Sequence, residues 1–101
     1  MSLGLEYSHS KLFTSSGTGH WTDTYSAREH AFVFETSSNS TANYQILHRA
    51  KNATTTMVVS SGTMGASSAV SVLLSGAYYQ MTVRVKSTVT GNGMTARWYG
   101  N

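Results

Sequence analysis

Residues 78 to 86 hold the clearest pattern in the chain. Tyr79, Met81, Val83 and Val85 alternate with Tyr78, Gln80, Thr82, Arg84 and Lys86. Strict period-two alternation marks a strand with one buried and one wet face. Ser75-Gly76 just before it marks the turn that feeds it. The pattern predicts Tyr79 pointing inward and Tyr78, Arg84 and Lys86 pointing outward.

Other segments read the same way. Glu29 to Thr36 sets Phe32 and Phe34 on one side and Val33 on the other. Asn43 to Arg49 pairs Tyr44 with Ile46 and leaves Leu47 opposite. Thr54 to Ser61 carries Met57, Val58 and Val59, and Ala69 to Ser75 carries Val70, Val72 and Leu74 in register. Met94 to Tyr99 alternates Met94, Ala96 and Trp98 against Thr95, Arg97 and Tyr99. Leu3 to Phe13 and His20 to Ser26 are also strand-like.

Turn residues separate these segments: residues 15 to 19, 37 to 41, 52 to 53, 62 to 68 and 91 to 93. Within the last, Asn92-Gly93 favours a type I′ hairpin, because both residues accept positive φ. That hairpin predicts Arg84 and Arg97 on antiparallel neighbours. The sum is seven or eight short strands about 8 to 12 residues apart and no helical periodicity. The expected fold is all-β: an antiparallel two-sheet sandwich, jelly-roll or immunoglobulin-like, with residues 1–101 as one domain. Phe32, Phe34, Ile46, Val72, Leu74, Tyr79, Met81, Val83 and Trp98 are the expected core.

Composition sharpens this reading. Serine and threonine supply 30 of the 101 residues, whereas charged residues make up 11%. Threonine suits strands and serine suits turns, and the long charged helix formers are scarce. Cysteine is absent, which excludes a disulfide framework and thiolate metal sites. Proline is absent too, so edge strands need another protection, such as Lys or Arg side chains. No apolar run exceeds four residues, too short for a transmembrane helix or a secretory h-region. The hydroxyl-rich composition suggests a secreted or cell-surface protein whose signal peptide has been removed.

Charge is unevenly placed. The four acids, Glu6, Asp23, Glu29 and Glu35, all precede Thr36, and Arg49, Lys51, Arg84, Lys86 and Arg97 follow with no acid among them. The net +3 therefore belongs to the later part of the chain. A basic surface attracts nucleic acid, anionic lipid or anionic cell-wall polymer.

Catalytic chemistry finds little support. There is no G-x-S-x-G elbow. Glu29 and Glu35 share a strand face but would lie about 20 Å apart, beyond the roughly 5 to 9.5 Å that paired glycosidase carboxylates need. The two Gly-x-Gly stretches lack the Lys-Ser/Thr of a phosphate loop. His9, His20, His30 and His48 form no ligand motif, although His9 and His20 flank a glycine-rich turn near Asp23 that two strands could close. The acids are too few and scattered for an EF-hand. Asn39-Ser40-Thr41 and Asn52-Ala53-Thr54 are glycosylation sequons, relevant only in a eukaryotic secretory setting. An RNA-recognition fold would need helices and aromatic sheet motifs that the chain lacks.

Residues 75 to 85, Ser-Gly-Ala-Tyr-Tyr-Gln-Met-Thr-Val-Arg-Val, resemble the last strands of exported bacterial β-sandwich modules. The stretch from Gly76 through Val83 to Trp98-Tyr99 is similar to small secreted β-sandwich bacteriocins of the lactococcin type. No residue role carries over from either resemblance.

The expectation is a non-catalytic exported or surface-associated binding module without cofactor or metal. Its expected surface is Tyr78, Arg84, Lys86, Arg97 and Tyr99, and its partner an anionic polymer or glycan rather than nucleic acid. A secreted antimicrobial protein and a structural or assembly protein are the alternatives. The oligomeric state stays open.

Overall fold

The computed structural model describes residues 5–86 and 91–101. Among the described residues nine strands are formed: β1 (Tyr7–Phe13), β2 (Gly17–Thr18), β3 (Thr22–Asp23), β4 (Glu29–Thr36), β5 (Ala42–Arg49), β6 (Met57–Met64), β7 (Ala69–Ser75), β8 (Gln80–Val85) and β9 (Met94–Gly100). Among the described residues there is no helix, so none is long and apolar enough to cross a membrane. Turn residues 62 to 64 of the sequence reading belong to β6, and residues 54 to 56 lie outside it.

The strands make two antiparallel sheets. The four-stranded sheet runs β1-β9-β4-β7, and the five-stranded sheet runs β2-β8-β5-β6 with β3 also on β8. Gly17 and Thr18 pair with Val85 and Arg84, and Thr22 and Asp23 pair with Met81 and Gln80. β2 and β3 thus behave as one interrupted strand along β8. Counted so, the pairs nest from the outside in: β1 with β9, β2/β3 with β8, β4 with β7 and β5 with β6. That nested order, with four strands per sheet, is the jelly roll of the two arrangements expected.

The alternating positions supply the core. Phe32, Phe34, Ile46, Met81, Val83, Met94, Ala96 and Trp98 are fully buried. Phe34 of one sheet stacks on Tyr44 of the other with ring centroids 4.3 Å apart. Trp98 Nε1 donates to Thr22 Oγ1 at 3.0 Å, tying β9 to β3 across the layers. Val72 and Leu74 are only half-buried, because β7 is an edge strand with the core on one side alone.

Several expectations need correction. Tyr79 is not in the core. It precedes β8, its ring lies along His48, and it is 59% exposed. Tyr78 turns inward instead and packs against the core cluster. The alternation of β8 does not extend back through this pair, because the carbonyls of both tyrosines are held by Thr24.

Arg84 and Arg97 are not on neighbouring strands. β9 has both hydrogen-bonding edges filled by β1 and β4, and β8 has its own filled by β2/β3 and β5. Gly91 and Gly93 take positive φ, at 62° and 93°, and Asn92 does not. The segment docks on the 37–40 turn, where Gly93 N donates to Ser40 Oγ and Ser37 N to Gly93 O.

Lys and Arg do not protect all the edges. No charged residue occurs between Lys51 and Arg84, and this stretch contains both β6 and β7.

Candidate functional site

The outer face of the five-stranded sheet is built by β5 and β8. Asn43, Gln45, Leu47 and Arg49 alternate outward on β5, opposite the buried Tyr44 and Ile46. Gln80, Thr82 and Arg84 do so on β8, yet this face is not the wet one that the alternation predicts: Gln80 and Thr82 are buried, Arg84 is half-buried, and Lys86 is exposed just beyond the strand. The register places Arg84 opposite Gln45, Thr82 opposite Leu47 and Gln80 opposite Arg49.

Amides, not carboxylates, hold the arginines. Gln45 Oε1 accepts from Arg84 Nε at 2.9 Å and from Arg84 Nη2 at 2.6 Å. Gln80 Oε1 accepts from Arg49 Nε at 2.8 Å and from the Asn52 amide at 3.0 Å. Gln80 Nε2 donates to Asp23 Oδ1 at 2.7 Å. The Arg49 guanidinium also lies over the Trp21 ring, 4.2 Å from its centroid. Between these two polar ends, Thr82 and Leu47 are buried, and Thr82 Oγ1 donates to the His20 carbonyl at 2.8 Å.

Beside Arg84 the face opens into a shallow depression of about 400 Å³. Asn43, Gln45, Ser61, Thr63 and Lys86 line it around Tyr44 and Gly62. Gly62 pairs with Tyr44, and a Cβ there would lie 2.5 Å from the Tyr44 hydroxyl. Glycine lets the tyrosine close beneath the strand, leaving amide, hydroxyl and ammonium groups in the wall.

Charge divides between the two sheets. Arg49, Lys51, Arg84 and Lys86 lie on or beside strands of the five-stranded sheet, and Asp23 is the one acid there. Glu6, Glu29 and Glu35 lie on or beside the four-stranded sheet, where Lys11, Arg28 and Arg97 balance them. The net +3 is thus carried by the five-stranded side. Among the described residues the one ion pair is Arg97 with Glu35, at 3.0 Å, on the other sheet.

The five expected site residues therefore do not share a surface. Arg84 and Lys86 lie on the five-stranded face. Arg97 and Tyr99 lie on the four-stranded face, and Tyr99 lines a separate depression there with Leu5, Ala31 and Leu73. Tyr78 faces inward, edge-on to His30 and His48 with centroids 5.3 and 5.1 Å away. Asn43, Gln45, Ser61, Thr63 and Arg49 were not expected in the site. The alternation of β5 turns Asn43 and Gln45 outward, but it does not reveal that β8 is their partner.

The histidines form two groups. His9 and His20 come together as their turn suggests, with ring centroids 4.9 Å apart, and His9 also packs on Trp98. Burial lowers the His9 pKa below its ordinary value, helped by the charges of His20 and Lys11. Asp23 is held by Gln80 instead. Among the described residues no group of three or more His, Cys, Asp or Glu could hold a metal ion.

The second group is at the end of the sandwich. Tyr7 Oη lies 2.8 Å from His30 Nδ1, and His30 Nε2 lies 2.9 Å from the Gly76 carbonyl. The carbonyl can only accept, so Nε2 carries a proton, and in the neutral imidazole that leaves Nδ1 to accept from the Tyr7 hydroxyl. Burial raises the Tyr7 pKa, so the phenol stays protonated. Burial also lowers the pKa of His48, whose Nε2 accepts from the Tyr79 amide at 3.2 Å.

No protein family and no curated protein sequence matches the chain. The fold is similar to the crystal structure of the SPBc2 prophage-derived protein YomS, with a TM-score of 0.64 at 15% identity, over 100% of this chain and 99% of that one. At that identity the likeness concerns the fold alone.

Proposed function

We propose that this protein is a non-catalytic, exported or surface-associated binding module whose ligand is an anionic glycan, held on the outer face of the five-stranded sheet. The observation that carries this reading is the charge division: four cations against one carboxylate on this side, with no ion pair there among the described residues. A guanidinium held by an amide keeps its full charge for an incoming anion, and Gln45 also fixes its direction.

The depression beside Arg84 supplies the other half of glycan recognition. Asn43, Gln45, Ser61 and Thr63 offer donors and acceptors that suit sugar hydroxyls, while Lys86 and Arg84 meet carboxylate or phosphate groups. A single-stranded nucleic acid would call for a run of free aromatic platforms. This side has Trp21, whose ring Arg49 already covers, and Tyr25, whose ring lies under Lys51.

The test is a titration of the labelled protein with a polyuronate, its neutral counterpart and single-stranded DNA, followed by NMR. The expected result is saturable shifts with the polyuronate at Asn43, Gln45, Ser61, Thr63, Arg84 and Lys86. Shifts confined to the four-stranded face, or equal shifts with the neutral polymer, would overturn the reading. A stronger response to DNA would do the same.

A further inference from the structure

We propose that two copies of this chain join through β7, edge to edge and antiparallel about a two-fold axis, to make one continuous eight-stranded sheet. The argument begins with the edges. A sheet edge presents unpaired N–H and C=O groups, and monomeric proteins blunt them with charge, proline, bulges or shortness.

Three of the four edges here are blunted. β1 carries the exposed Lys11. β2 and β3 are two residues each and interrupted. β6 contains a register break opposite Ile46 and Leu47. β7 has none of these devices. It pairs with β4 without a break from Ser75 opposite Glu29 to Ala69 opposite Glu35, and it is uncharged throughout.

The side chains of β7 also lack cover. Leu73 is 77% exposed on the outer face, and Val70, Val72 and Leu74 are half-buried on the inner face, packed against the core.

A second copy fits this edge. Copies carrying a net +3 repel one another, but β7 lies in the uncharged stretch between Lys51 and Arg84. The strand is also complementary to itself. With Val72 on the axis, Val70 meets Leu74 of the second copy, Ser71 meets Leu73, and Ala69 meets Ser75. This register keeps inward residues opposite inward ones, as a two-fold sheet extension requires. The large Leu73 faces a small serine, and no like charges are brought together.

The test is sedimentation of the whole chain from nanomolar to millimolar concentration. The expected result is a reversible shift from 10.9 kDa to twice that mass. Ser71→Lys with Leu73→Lys sets lysines opposite each other and leaves a monomer at every concentration. Ser71→Lys with Leu73→Glu sets opposite charges in the same register and restores the dimer. Both positions face solvent, so circular dichroism should match the parent chain. On the unaltered protein, β7 amides should gain protection from hydrogen exchange as concentration rises. A parent chain monomeric throughout would overturn the proposal. So would a dimer that the lysine pair leaves intact, or one with unchanged β7 protection.

Discussion

Arg84 directs its guanidinium onto the side-chain carbonyl of Gln45, through Nε and Nη2 at once. The pair spans β8 and β5, and it orients a cation without neutralising it. Gln45→Glu would keep the shape and give Arg84 a counter-charge. Polyuronate affinity should then fall several-fold, while stability holds or rises by up to about 1 kcal/mol, the scale of a surface ion pair. Isothermal titration and urea unfolding read the two effects separately.

The buried contact between Tyr7 and His30 is structural. Tyr7→Phe removes the donor and leaves His30 Nδ1 without a partner in a residue that is 1% exposed. An orphaned buried acceptor costs about 1 to 3 kcal/mol. Urea unfolding should show a loss of that size, and polyuronate binding should not change.

Gly62 has no substitute against Tyr44. An alanine Cβ would sit 2.5 Å from the hydroxyl and 2.6 Å from the ring carbon that bears it. The ring is buried, so it cannot swing clear without disturbing the core. Gly62→Ala should cost about 1 to 3 kcal/mol, the usual range for overpacking, and reshape the depression. A thermal melt with a parallel binding titration would reveal both.

Stability should decline in mild acid. His9 and His48 have folded pKa values below the ordinary 6.5, both chiefly through burial. As pH falls below about 6.5 the unfolded chain binds protons that the folded chain does not, which favours unfolding. The stabilisation is therefore present above that pH and lost as pH drops through the folded values. Urea midpoints should be lower at pH 5 than at pH 7.5, and a His9→Gln, His48→Gln double variant should flatten the difference.

The sandwich was legible because period-two alternation is strong in β4, β5, β8 and β9, where Phe32, Phe34, Ile46, Met81, Val83 and Trp98 all prove buried. The alternation reports facing, which depends on one strand at a time. It does not report pairing, which depends on which edges remain open. Arg84 and Arg97 therefore read as neighbours through Asn92-Gly93, although the nested order fills both edges of β9 before β8 could join it. Tyr79 read as buried because the pattern carries no signal of where the sandwich ends. Two residues of the candidate site were visible, Arg84 and Lys86. Gln45 and Asn43 stayed hidden because their role comes from cross-strand position.

The most direct measurement is polyuronate affinity at low and moderate salt for the parent chain, the Arg84→Ala, Lys86→Ala double variant and Arg97→Ala. Two lost surface charge contacts should weaken binding by about tenfold. Salt-sensitive binding that falls this far in the double variant and persists in Arg97→Ala is the predicted result. Absent binding, or an equal loss in Arg97→Ala, would contradict a site on the five-stranded face.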